Sequence, residues 1–112
     1  MKKNIIKKFI FLEKDGFERM VYFRNGDSEI YYTKKQLTIE IYYYLSTMMQ
    51  YCLEIIVDYG GKRANILNCD FFDEAEIGLL KSRIDSTEKS DSFEKKLDVY
   101  ANFIRKTYKR FI

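Results

Sequence analysis

Two apolar runs in the middle of the chain, LTIEIYYYL and YCLEIIVDY, alternate with a period of two and are separated by a short polar patch, residues 46–50. Side chains along a strand point to opposite faces in turn, so residues 37–59 are predicted to form two antiparallel strands. One face gathers Leu37, Ile39, Ile41 and Tyr43 with Tyr51, Leu53, Ile55, Val57 and Tyr59. The other gathers Thr38, Glu40, Tyr42 and Tyr44 with Cys52, Glu54, Ile56 and Asp58. An apolar face backed by a mixed polar one is expected of a sheet that is covered on one side only.

The flanking segments fit around this centre. In residues 4–15 the spacing of Ile5, Phe9 and Leu12 predicts a helix, with Gly16 as a left-handed cap just past its end. Residues 17–23 alternate again, Asn25-Gly26 suits a tight hairpin, and residues 28–33 read as the next strand, turning through Lys34-Lys35-Gln36 into Leu37. Gly60-Gly61-Lys62 is a second hairpin connection, leading to a strand over residues 63–67. From Asp70 the period lengthens. Phe72, Ala75, Leu79 and Ile84 predict a helix that Asp70 or Asp73 caps, with Gly78 an unfavourable interior residue. Residues 85–91 carry no apolar side chain and read as an exposed, mobile loop. The last helix is the clearest: Phe93, Leu97, Tyr100, Ile104, Tyr108 and Phe111 share a face, Ser92 is a candidate cap, and Lys95, Lys96, Arg105, Lys106, Lys109 and Arg110 lie opposite.

The predicted architecture is therefore α+β. About five strands form an antiparallel meander, and an N-terminal helix and two C-terminal helices pack mainly on one face, within one domain of residues 1–112. A content of 46% hydrophobic and 17% aromatic residues supports a folded core. The longest uninterrupted apolar run is residues 41–45, far short of a membrane helix, and lysines interrupt the first ten residues where a signal peptide needs apolar ones; a cytoplasmic protein is expected.

Net charge is only +3, but it is unevenly spread. Residues 1–12 carry four lysines and no acid, residues 13–76 carry seven basic against twelve acidic side chains, and residues 77–112 carry nine against five. The strand region is acidic and its flanks are basic. Without histidine, the two cysteines, Cys52 and Cys69, build neither a zinc cluster nor a Cys–His nucleophile, and the serines and threonines have no imidazole to activate them. The glycines lack P-loop spacing. Acid pairs such as Asp73 with Glu76 suit a helix start better than acid–base chemistry. The reading is a non-enzyme with no cofactor and no metal.

Tyr31, Tyr42 and Tyr44 on an open sheet would stack nucleic-acid bases, but Glu40, Glu54 and Asp58 share that face and repel phosphate, so no direct nucleic-acid contact is expected there. Tyrosines ringed by acids better suit a protein partner.

The segments FIFLEKDGF, NGDSEIYY, LTIEIYYY, YCLEIIVDY and LDVYANFIRKTYKRFI, in that order, resemble small immunity proteins of bacterial polymorphic-toxin and contact-dependent growth-inhibition systems. The resemblance implies a cytoplasmic antitoxin that neutralises the C-terminal domain of one cognate toxin, a DNase or RNase, by stoichiometric binding. Under that reading Glu40, Glu54, Asp58, Asp70, Asp73, Glu74 and Glu76 steer a cationic toxin domain, and Tyr42 and Tyr44 anchor it. Two alternatives stand beside it: an RNA-binding or regulatory module using Lys95, Arg105, Lys109 and Arg110, and a self-associating domain with the tyrosine face as its homodimer seam.

Overall fold

The computed structural model describes residues 2–48, 50–88 and 93–112. Its centre is one antiparallel sheet in the order β1-β2-β3-β4-β5, formed by Glu18–Arg24, Asp27–Lys34, Leu37–Leu45, Tyr51–Tyr59 and Lys62–Asn65. Each strand pairs with its sequence neighbour because each connection within it is short. Asn25 and Gly26 both have positive φ, as do Gly60 and Gly61, which is the backbone of the two-residue turns whose twist matches the strands they join. The fifth strand is shorter than expected. Ile66–Asn68 leaves the sheet as a 3-10 turn, with the Asn65 side chain accepting from the Leu67 amide at 2.9 Å.

The helices α1 (Lys2–Lys8), α2 (Ile10–Lys14), α3 (Glu74–Glu88) and α4 (Phe93–Thr107) cover the expected face. Ile30, Tyr32, Leu37, Ile39, Ile41, Leu53, Ile55 and Val57 are buried beneath Ile5, Phe9, Leu12, Leu97, Tyr100 and Ile104. An aromatic cluster closes the far end, where Tyr59 and Phe72 pack edge-on against Phe111 at 5.1 and 5.4 Å between ring centres.

Three further expectations are corrected. The N-terminal helix is broken at Phe9, although Ile5, Phe9 and Leu12 all point inward as the spacing required. Its end closes on Gly16 at φ +92°: the Gly16 amide donates to the Glu13 carbonyl and the Phe17 amide to that of Leu12, both at 3.0 Å. Helix α3 buries Ile77, Leu80, Ile84 and Thr87, whereas Ala75 and Leu79 face solvent. Leu79 and Leu80 are adjacent, so either fits a helical period, and docking on α4 selects Leu80. Finally, α3 continues through residues 85–88, so that part of the expected loop is helical. Residues 89–91 and the Ser92 cap lie outside the described residues.

Candidate functional site

Across the sheet from the helices, the alternation of five strands sets one continuous face. Direct cross-strand partners share a face, so Tyr22, Glu29, Tyr42 and Glu54 form one row, and Met20, Tyr31, Glu40, Ile56 and Asn65 form the next. Counting every strand, this face carries six acids, Glu18, Asp27, Glu29, Glu40, Glu54 and Asp58, against two arginines, Arg24 and Arg63. It is the acidic side of the sheet.

Its tyrosines are held in place. The rings of Tyr22 and Tyr31 lie 5.3 Å apart and those of Tyr31 and Tyr42 6.0 Å apart. The Tyr31 and Tyr42 hydroxyls are 3.1 Å apart, Tyr31 also reaches the Glu29 carboxylate at 3.1 Å, and Tyr42 donates to Glu40. Arg63 completes the chain. Its guanidinium donates twice to Glu40 at 2.9 Å and once to Tyr42 at 3.0 Å. Beside this network Glu54 accepts from Asn65 at 3.0 Å and from Tyr44 at 3.5 Å.

The electrostatics follow from these partners. Burial pushes the Glu40 carboxyl upward, but the Arg63 and Tyr42 bonds outweigh it and hold its pKa below the usual carboxylate range. Burial raises the Tyr42 phenol, and its bonds to Glu40 and Tyr31 raise it further. Tyr31 and Tyr44 are raised mainly by burial as well. These phenols remain protonated at neutral pH. The face is therefore a row of fixed hydrogen-bonding rings, and its tyrosines are not poised to act as bases or nucleophiles.

The nine residues singled out from sequence do not form one surface. Glu40, Tyr42, Tyr44, Glu54 and Asp58 share the open face, but Glu40 is only 7% exposed and neutralised by Arg63, so it is a support and not a free steering charge. Asp58 accepts from the Gly61 amide at 3.2 Å and closes its turn. Asp70, Asp73, Glu74 and Glu76 belong to the helical layer, where Phe72 between them packs on Phe103. Asp73 directly precedes α3, and its amide donates to Glu76 at 3.3 Å, as in a capping box. Glu76 is further held by a two-pronged bond to Arg110 at 2.8 and 2.7 Å, which lowers its pKa. The exposed carboxylates of Asp70, Asp73 and Glu74 remain. Of the basic side chains expected on the last helix, Arg110 lies past the end of α4 in a 3-10 turn, Tyr108–Phe111, and is occupied by Glu76, while Arg105 on α4 lies over the Phe11 ring at 4.7 Å.

No protein-family model, curated protein or solved structure matches this chain. No described helix is long and apolar enough to cross a membrane. The site thus rests on its own geometry.

Arg63, Tyr22, Glu29 and Met20 were missed as members of the face. Register carries the signal for them. Once the two-residue turns are placed, alternation puts Arg63 opposite Asp58 and Tyr22 opposite Glu29. The bond from Arg63 to Glu40 crosses a strand and is invisible to local pattern.

Proposed function

We propose that the chain is an immunity-type module that binds one toxin domain stoichiometrically through the open sheet face. The observation that carries this reading is the aromatic row Tyr22–Tyr31–Tyr42, fixed by Glu29, Glu40 and Arg63 on an acidic face. Rings already fixed lose little conformational freedom on binding, so they suit the centre of an interface, while surrounding acids speed encounter with a cationic surface. A nuclease presents such a surface where it holds phosphate, and that is the toxin class the charge favours.

The test is co-purification with the C-terminal domain of the polypeptide encoded immediately upstream, together with growth of cells that express this domain with and without the chain. A one-to-one complex and restored growth are expected. Tyr31→Ala with Tyr42→Ala should then weaken binding by about 2 kcal/mol or more, and Glu29→Lys with Glu54→Lys should slow association, most at low salt. Absence of both complex and rescue would overturn the proposal. A complex insensitive to all four substitutions would move the interface elsewhere.

A further inference from the structure

The two edges of the sheet are built differently. Strand β5 is four residues long and begins with Lys62 and Arg63, a short charged edge of the kind that resists pairing. Strand β1 is seven residues long and every residue in it is exposed. Its middle is apolar, with Met20 49%, Val21 37% and Phe23 64% exposed. It contains no lysine or proline, and its seven pairs with β2 run one-to-one without a bulge. Of the devices that protect an edge, this strand carries charges, at Glu18, Arg19 and Arg24, but it has no bulge and no proline and is not short.

We propose that β1 is the seam of a symmetric homodimer, in which it pairs antiparallel with β1 of a second copy about a two-fold axis at Val21. The hairpin decides which backbone groups are free. Asn25-Gly26 is a two-residue turn closed by Arg24 and Asp27, so Arg24, Tyr22, Met20 and Glu18 bond to β2, and the amides and carbonyls of Arg19, Val21 and Phe23 point outward. A two-fold axis at Val21 sets Val21 against Val21 and Arg19 against Phe23, and each such facing pair exchanges both backbone bonds.

The same register is self-complementary in side chains. On the open face Glu18 meets Arg24 of the second copy and Met20 meets Tyr22, each contact made twice. Neither Glu18 nor Arg24 has an ion-pair partner among the described residues of its own chain. On the other face Arg19 is brought to the exposed Phe23 ring, a cation–π arrangement, while Val21 buries against its twin. A shift of the register by one residue breaks both charge pairs. The seam is small beside a standard interface, so the dimer should be concentration-dependent, with dissociation in the micromolar range. Pairing would join the two open faces into one sheet and leave Tyr31 and Tyr42 uncovered, while Tyr22 belongs both to the seam and to the row assigned to a toxin.

Sedimentation velocity of the full chain over a concentration series tests it. The expected result is a shift from the 13.5 kDa monomer to twice that mass. Val21→Lys, which sets two ammonium groups against each other across the axis at an exposed site, should give a monomer with an unchanged circular dichroism spectrum and about the melting temperature of the dilute, monomeric wild type. Glu18→Arg alone and Arg24→Glu alone should each weaken the dimer about tenfold or more, and the double variant should recover it. A wild-type chain that stays monomeric to about millimolar concentration, or a dimer indifferent to Val21→Lys, would overturn the proposal. So would a charge-swapped pair that fails to recover. Toxin binding is scored separately and does not enter either outcome.

Discussion

Tyr32 is fully buried on the helix-covered face, with its ring 6.1 Å from that of Phe9, and its hydroxyl is a buried side-chain oxygen without a hydrogen-bond partner among the described residues. Burying an unpaired hydroxyl costs free energy that a phenyl ring avoids. Tyr32→Phe should therefore leave stability unchanged or raise it by about 1 kcal/mol, read from the urea midpoint at constant slope. Glu40 shows the opposite case, a buried charge that is fully satisfied. Arg63→Gln leaves that carboxylate short of two bonds and should cost about 1–3 kcal/mol at pH 7, toward the lower end because Arg63 is itself half exposed. The acid dependence has a definite sign. Glu40 has a folded-state pKa below its unfolded one, so it contributes stability above the ordinary carboxylate range, lost as pH falls through the folded value. The gap between wild type and Arg63→Gln should accordingly narrow as pH is lowered from 5 toward 3, about where carboxylates protonate. A gap independent of pH would mean that Arg63 acts by packing alone.

Among the elements, α3 departs furthest from expectation. Its sequence offers two apolar faces that overlap, and a polar end that resembles a loop; only the surface of α4 chooses the Ile77–Leu80–Ile84 face, and helical continuation carries the polar turn to Glu88. Gly78 lies on its exposed side with open space where a Cβ would stand. Gly78→Ala should raise stability by about 0.5–1 kcal/mol, seen as a higher melting temperature with the native circular dichroism spectrum. Other elements were legible in detail. The period-two runs of β3 and β4 predicted which residues turn inward, and the cap at Gly16 followed from a glycine placed one step past an apolar helical stripe. Those features depend on neighbours within a few residues. The break at Phe9 had no local signal, since neither glycine nor proline marks it.

At the scale of the whole molecule, the sheet has a protected centre and two unequal edges. Strands β3 and β4 are paired on both sides and buried on one face, so their amides should exchange most slowly, with protection set by the global unfolding free energy, while β5 opens first. Strand β1 provides an internal check on the homodimer. The Arg19, Val21 and Phe23 amides should exchange quickly in dilute solution and slow as concentration rises, while Met20 and Tyr22, bonded to β2, change little. Equal behaviour of both sets would count against edge pairing.

What the sequence determined by itself was the set of strands, their meander order, the face of the sheet that goes inward and the amphipathic surface of α4. These follow from side-chain periodicity and turn chemistry, which act over a few residues. Tertiary structure alone decided that Arg63 neutralises Glu40 from two strands away, that the acids at the start of α3 belong to the helical layer, and that helices cover the sheet but leave β1 bare. Each depends on distances between segments remote in the chain, where charge and burial are set by what folding brings together.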